Sequence, residues 1–228
     1  MTERYAVYFA PGADSELELF GKSILCRSAS CERKADASST FANQTQWLRL
    51  TEKPAHYGFH ATLKAPFELV HSQTEESLTA AVAEFAKNQL PIALTSLFPR
   101  SLGGFMALTL ENEIEHLSRF ALNCVESFEP FRKALSDSDL QRRKLHELSN
   151  RQEFLLMKYG YPYVADEFHF HLTLSGKLHE HDKEYEAWVI SEYNKLISET
   201  PVLDRIAIFK QADRQSPFLQ LAGFTLSV

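Results

Sequence analysis

Tyr57-Gly-Phe-His-Ala-Thr-Leu-Lys64 is the stretch from which the fold is inferred, because its core, His-x-Thr-Leu, recurs at His171-Leu-Thr-Leu174. Both copies lie among apolar residues of the kind that form strands. Side chains alternate across a strand, so each histidine points to the same side as the threonine two residues later, about 6 Å along the strand. Two such pairs that face each other across a cleft would form a site.

The same order of predicted elements follows each motif. A proline follows the histidine after 31 positions in the first copy and after 30 in the second, at Pro91 and Pro201. A helix-like segment precedes each proline, and strand-like segments follow it. We therefore predict an α+β fold with two lobes, built from internally duplicated β-α-β-β units that flank a cleft.

The predicted organisation is a single bilobal domain with a helical insertion between its halves. The expected boundaries are roughly 45–111 for lobe one, 112–160 for the insertion and 165–228 for lobe two, within one domain over 1–228. The basic run at 142–144 is expected to be a solvated helix face. Residues 27–44, rich in Ser, Ala, Asn and Thr, predict a long surface loop over the site.

The composition is that of an ordinary globular protein, with 228 residues of which 44% are hydrophobic and 24% are charged. No apolar run approaches the ~20 residues that span a bilayer, and the three cysteines are too few for a disulfide scaffold. We therefore expect a cytoplasmic protein without a membrane partner, of undetermined oligomeric state. The net charge of −6 argues against a long nucleic acid as a partner, but a small phosphorylated substrate needs only a local cluster of donors.

Two histidines and two threonines match the needs of phosphodiester hydrolysis without a metal. The reaction requires a base, an acid and donors for the non-bridging oxygens. Imidazole serves either proton role near neutral pH, so His60 and His171 are the candidate acid and base, in an order that the sequence leaves open. Thr62 and Thr173 are candidate phosphate ligands. Lys64 adds a positive charge on the same face if the alternation continues.

Two other functions stay open. His169 with His171 would place two imidazoles on one strand face, and His56 and His60 offer further nitrogen ligands, so a histidine-ligated metal hydrolase is one alternative. The other is a non-catalytic module that binds a phosphorylated metabolite in the same cleft. Neither Gly-x-x-x-x-Gly-Lys nor Gly-x-Gly-x-x-Gly occurs in the sequence, which disfavours nucleotide-driven chemistry and dinucleotide cofactors.

The paired motifs resemble the signature of the two-histidine (2H) phosphoesterase superfamily, which includes RNA 2′,5′-ligase-like proteins and cyclic nucleotide phosphodiesterases. The chain is most similar to a branch encoded with bacterial phosphonate-degradation genes. The similar segments follow one another in the same order along nearly the whole chain, at 4–11, 57–67, 151–152 with 159–164, and 168–174. One departure is His169, where that branch tends to have arginine.

The resemblance implies a cyclic phosphodiesterase of the 2H fold that uses neither metal nor cofactor. In this superfamily the two histidines act as acid and base, and the two threonines bind phosphate. The usual substrates are cyclic phosphates on ribose, such as 2′,3′-cyclic nucleotides. For the phosphonate branch, the resemblance implies a ribosyl 1,2-cyclic phosphate, the intermediate that carbon–phosphorus bond cleavage leaves. Further candidates for lining the pocket are Tyr57, His169, Tyr161 and Tyr163, with core packing as the alternative for each tyrosine.

Overall fold

The computed structural model describes residues 3–143 and 147–227, in which seven α-helices and nine strands form a mixed α+β fold. The strands are β1 (Arg4–Phe9), β2 (Ala61–Phe67), β3 (Ile92–Ala93), β4 (Phe98–Leu102), β5 (Phe105–Thr109), β6 (His171–Lys177), β7 (Val202–Leu203), β8 (Arg205–Gln211) and β9 (Leu219–Thr225). The helices are α1 (Glu16–Leu25), α2 (Gln44–Tyr57), α3 (Glu75–Lys87), α4 (Glu115–Ser127), α5 (Asp137–Arg143), α6 (Asn150–Tyr159) and α7 (Lys183–Leu196). The side chains of the basic run at 142–144 lie outside the described residues.

One seven-stranded antiparallel sheet forms the centre of the molecule, in the order β4-β5-β6-β2-β1-β8-β9. The main core lies on one face of this sheet, where buried apolar side chains from α1, α2, α3, α4 and α7 pack against the strands. The predicted α+β class is confirmed. None of the helices in the described ranges is long and apolar enough to cross a bilayer.

The order of elements repeats along the chain, as strand, helix, short strand and hairpin. The two short strands pair with each other, Ile92 with Leu203 and Ala93 with Val202. In the large sheet the strands of the two sequence repeats interleave, because β5 of the first repeat lies beside β6 of the second. β2 of the first repeat is in turn joined through β1 to β8 of the second. The two repeats therefore share one sheet.

Helix α2 leads into the first motif, and it is not among the elements predicted from the sequence. Pro54 lies within this helix and has no N–H to donate to the carbonyl of Leu50. Gly176 of β6 approaches that carbonyl, which lies 3.6 Å from the position that a Cβ on Gly176 would take. The helix ends at Gly58, whose φ of 84° and ψ of 173° favour glycine. The chain then turns directly into the motif.

Strands β4 and β5 form a hairpin. Gly103 and Gly104 form its two-residue turn with φ of 57° and 88°. Positive φ at both central residues is typical of the tight turns whose twist matches that of the flanking strands. The residues around 27–44 lack regular structure up to α2, but Arg27 and Phe41 in this segment are buried. It is therefore partly packed into the protein.

Gly21→Ala should destabilise the protein although alanine is the better helix former. A Cβ at this position in α1 would lie 2.2–2.8 Å from three ring atoms of Phe59, which is itself buried. Overpacking of this kind costs about 1–3 kcal/mol, more than the roughly 1 kcal/mol gained in propensity. The free energy of unfolding in urea measures the effect. Leu19→Ala, at an exposed position of the same helix, is the control. The prediction would be contradicted if Gly21→Ala left the free energy of unfolding unchanged or raised it.

Candidate active site

The two motifs meet at the centre of the sheet. β2 and β6 pair through a bridge between the middle residues of the motifs, Ala61 and Leu172. In an antiparallel pair this register sets each histidine opposite the threonine of the other motif. Directly opposed side chains have Cβ atoms roughly 5 Å apart. The opposed pairs are His60 with Thr173 and Thr62 with His171.

The side chains of the two strands lie on the faces that the alternation predicts. Ala61 and Leu172 are buried in the core, whereas the histidines and threonines are partly exposed on the other face. His60, Thr62 and Thr173 line a cleft of about 900 Å³. His171 lies beside this cleft, with its ring centre 6.1 Å from that of Phe105, which lines it.

Each imidazole is held by the same local hydrogen bond. Nδ1 of His60 lies 2.9 Å from the carbonyl oxygen of Gly58, and Nδ1 of His171 lies 2.8 Å from that of His169. A carbonyl oxygen only accepts, so Nδ1 carries a proton and donates it in both rings. Nε2 is therefore the atom that can take up or release a proton. Oγ1 of Thr62 lies 3.4 Å from Nε2 of His60.

His60 occupies an environment that favours the neutral ring. It stacks on Tyr8 of β1, with ring centres 3.8 Å apart and planes 23° apart. Burial is the main cause that lowers the pKa of His60 to about 4, and positive charge on His171 and Arg27 lowers it further. The hydrogen bond to Gly58 acts in the opposite direction. His60 is therefore a neutral imidazole at pH 7, and its Nε2 carries a lone pair that faces the hydroxyl of Thr62.

The pKa of His171 is also lowered, mainly by burial. The charge of His169 lowers it further, and the hydrogen bond from Nδ1 to the carbonyl of His169 opposes the shift. The two histidines thus share the same backbone contact but have different neighbours. The differences between them arise from the tertiary environment.

Arg27 fixes the backbone beneath His60. It is only 3% exposed, and its guanidinium donates to the carbonyl oxygens of Ala55, near the end of α2, and of Phe218. Its Cζ would lie 3.6 Å from a Cβ on Gly58, the residue whose carbonyl holds His60. Burial lowers the pKa of Arg27 to about 10, so it remains charged. Arg27 therefore both positions the first motif and adds positive charge behind it.

Lys64 does not reach the cleft. Its side chain is 3% exposed, and its ammonium donates to the carbonyl of Val125 at 2.8 Å and to Glu129 at 2.9 Å. The cause is a shift of register in the pairing with β1, where Tyr8 faces Thr62 but Val7 faces Lys64. This bulge places Lys64 on the core face, so the simple alternation fails after Thr62.

The candidate tyrosines all line the cleft, and His169 does not. Tyr57 stacks on Phe218 with ring centres 5.5 Å apart. Tyr161 and Tyr163 meet edge to face, also at 5.5 Å. The ring of His169 is exposed, and this residue contributes to the site through its backbone carbonyl.

The described ranges contain no group of three or more His, Cys, Asp or Glu side chains arranged to hold a metal ion. Of the histidine pair considered for a metal hydrolase, His169 meets His171 through its backbone carbonyl, and its ring does not line the cleft. The contacts of the two Nδ1 atoms with backbone carbonyls fix the orientation of both imidazoles.

Several residues of the cleft were missed by the sequence analysis. Tyr8 and Lys53 lie outside the motifs, and nothing local marks them as part of the site. Lys177 had a detectable signal, since it lies an even number of residues after His171 on the same strand. Both lysines line the cleft.

The chain is similar to a family of unknown function and to two proteins that carry an enzyme name. The family described as "Protein of unknown function (DUF1045)" matches residues 62–219. A protein of Janthinobacterium sp. (strain Marseille) named ribose 1,5-bisphosphate phosphokinase PhnN is 36% identical over 176 residues, which is 77% of this chain and 39% of that protein. A protein of the same name from Laribacter hongkongensis (strain HLHK9) is 31% identical over 185 residues, covering 78% of this chain and 41% of that protein. The chain thus spans about two fifths of these relatives.

A search of solved structures found a conserved protein of unknown function from Agrobacterium tumefaciens str. C58. The TM-score is 0.43 at 14% sequence identity, and the alignment covers 97% of this chain and 86% of that one.

His60 should remain neutral at pH 5.5, where an unperturbed imidazole is mostly protonated. Its pKa of about 4 lies below that of the unfolded chain, so the unfolded state binds the extra proton. The free energy of unfolding therefore keeps the full contribution of neutral His60 above pH 6.5 and loses it as the pH falls towards 4. Side-chain ¹⁵N NMR of the folded protein should show a proton on Nδ1 alone. The urea-unfolded protein, with ordinary titration, is the control, and an imidazolium signal from folded His60 at pH 5.5 would contradict the assignment.

Proposed function

The chain belongs to the DUF1045 family of proteins of unknown function, and from the geometry of its cleft we propose that it is a metal-independent cyclic phosphodiesterase of the 2H type. One observation carries the proposal. Two copies of His-x-Thr meet across a single β-bridge, and each histidine has its Nδ1 bonded to a backbone carbonyl. This leaves two Nε2 atoms and two hydroxyl groups for one phosphodiester.

In the proposed reaction, His60 is the base and His171 is the acid. Nε2 of His60 accepts a proton from the water that attacks phosphorus. As the bond from phosphorus to one ring oxygen breaks, Nε2–H of His171 protonates the leaving oxygen, and the product is a phosphomonoester. The hydroxyls of Thr62 and Thr173 donate to the non-bridging oxygens. The negative charge of the bound phosphodiester raises the pKa of both imidazoles towards neutrality.

A ribosyl 1,2-cyclic phosphate is the proposed substrate. Cleavage between phosphorus and O2 in such a ring on 5-phosphoribose yields ribose 1,5-bisphosphate, the compound named in both PhnN relatives. Similarity to proteins encoded in phosphonate-degradation operons is consistent with a role in phosphonate breakdown. The kinase name describes whole relatives, of which this chain spans about two fifths. The chain itself contains no Gly-x-x-x-x-Gly-Lys phosphate-binding motif.

The purified protein should open the cyclic phosphate in the presence of EDTA. His60→Ala and His171→Ala should each lower kcat by about 10²- to 10⁴-fold, because each removes one proton-transfer group. Phosphorus NMR with ribosyl 1,2-cyclic phosphate and 2′,3′-cyclic nucleotides measures turnover. His71→Ala, at an exposed position outside the cleft, is the control. Turnover that zinc restores after chelation would favour the metal-dependent alternative, and saturable binding without turnover would favour a binding module.

The profile of kcat/KM against pH should be bell-shaped with its maximum below pH 6.5. The acidic limb reports the free enzyme's His60, with a pKa of about 4. The alkaline limb reports His171, whose pKa lies below the ordinary 6.5. Activity should therefore fall as the pH rises through neutrality. A maximum above pH 7 in the wild-type protein would contradict this assignment of charge states.

A further inference from the structure

The wall of the cleft carries more positive charge than a single phosphodiester needs. The described residues that line it include three cationic side chains and no aspartate or glutamate. The whole chain, by contrast, has 30 acidic and 24 basic residues. A cyclic phosphodiester carries one negative charge, for which the histidines and threonines are already arranged. The surplus indicates a ligand with a second anionic group.

Two of the three cations, Lys53 and Lys177, belong to α2 and β6, which approach each other at Gly176 in the lining of the cleft. Lys177 pairs across the sheet with Phe105, next to the turn between β4 and β5. Lys53 follows Leu50 by three residues in α2, and residues at this spacing share a helix face. The carbonyl of Leu50 lies 3.6 Å from where a Cβ on Gly176 would stand. Two elements thus bring both lysines to the same region.

These two lysines are available to a ligand. Both are exposed, and among the described residues no carboxylate forms an ion pair with either of them. The third cation, Arg4, donates instead to Oε1 of Gln211 and lies over the ring of Phe218. The turn at Gly104 adds open space, since no atom lies within 4 Å of the position of a Cβ there.

The separation from the reacting groups suits a sugar that carries two phosphates. Four residues along β6, about 13 Å in an extended strand, separate Thr173 from Lys177. The pairing with β5 changes register between these positions, which shortens the span. Thr173 and Lys177 line the same cleft, so a ligand must extend beyond the reacting phosphodiester to contact both.

We propose that Lys53 and Lys177 form a second phosphate subsite, which binds a non-reacting phosphomonoester of the substrate. This inference rests on the proposed phosphodiesterase function and narrows its substrate to a ribosyl cyclic phosphate with a further phosphate on the sugar. The same sugar without that phosphate leaves the subsite empty. Both lysines act as point charges for a phosphate dianion.

The test compares kcat/KM for 5-phosphoribosyl 1,2-cyclic phosphate and for ribosyl 1,2-cyclic phosphate. The wild-type protein should prefer the former by about 100-fold, and Lys53→Met or Lys177→Met should each lower kcat/KM for it by about 10-fold, since a charged hydrogen bond is lost. The double variant should abolish the preference by lowering kcat/KM for the phosphorylated sugar to about the value for the unphosphorylated sugar. Lys87→Met, at an exposed position of α3 that does not line the cleft, is the matched control.

Equal use of the two substrates by the wild-type protein would overturn the subsite while leaving the phosphodiesterase intact. An equal loss on both substrates in the double variant would also overturn it. If neither substrate is hydrolysed, the proposed function fails, and binding of ribose 5-phosphate by calorimetry then decides the subsite alone. Binding that the double variant weakens by about 10-fold or more would support it, and binding that is absent or unaffected would overturn it.

Discussion

The bridge between Ala61 and Leu172 is the contact on which the rest of the site depends. It joins the three strands on one side of the sheet to the four on the other. If either strand slipped by one residue, its own histidine would turn into the core and its own buried residue would turn out. The core prevents this slip, because Ala61, Leu63, Leu172 and Leu174 pack beneath the helices. The register of the proposed catalytic groups is therefore fixed by apolar burial on the opposite face.

The features that the sequence predicts well are those that depend on local periodicity. The alternation in the motif copies predicts which residues face away from the core. Lys64 was misplaced because its orientation depends on a bulge against β1, which no local pattern encodes. Helix α2 was missed because Pro54 argues against a helix. Arg27 was missed because its partners lie 28 and 191 residues away in the chain.

The interleaving of the two repeats explains why the site is shared between them. Each motif strand is flanked by a strand from outside its own repeat unit, β1 beside β2 and β5 beside β6. Neither repeat alone could place a histidine opposite the threonine of the other. The lysines follow the same principle, since Lys53 precedes the first motif on α2 and Lys177 ends the second motif strand. The cleft is thus a property of the whole sheet.

The two motifs are alike, but the residues that contact their histidines are not. These contacts can give the two imidazoles different pKa values. Both have Nδ1 bonded to the carbonyl two residues earlier, so the motif alone supplies no distinction between base and acid. His60 stacks on Tyr8 above a buried arginine, whereas His171 meets the edge of Phe105. Residues outside the repeated segments, on β1 and in the 27–44 segment, therefore make the first imidazole the stronger candidate for the neutral form. In the proposed mechanism, the two motifs therefore take different proton-transfer roles because of elements that lie outside the motifs themselves.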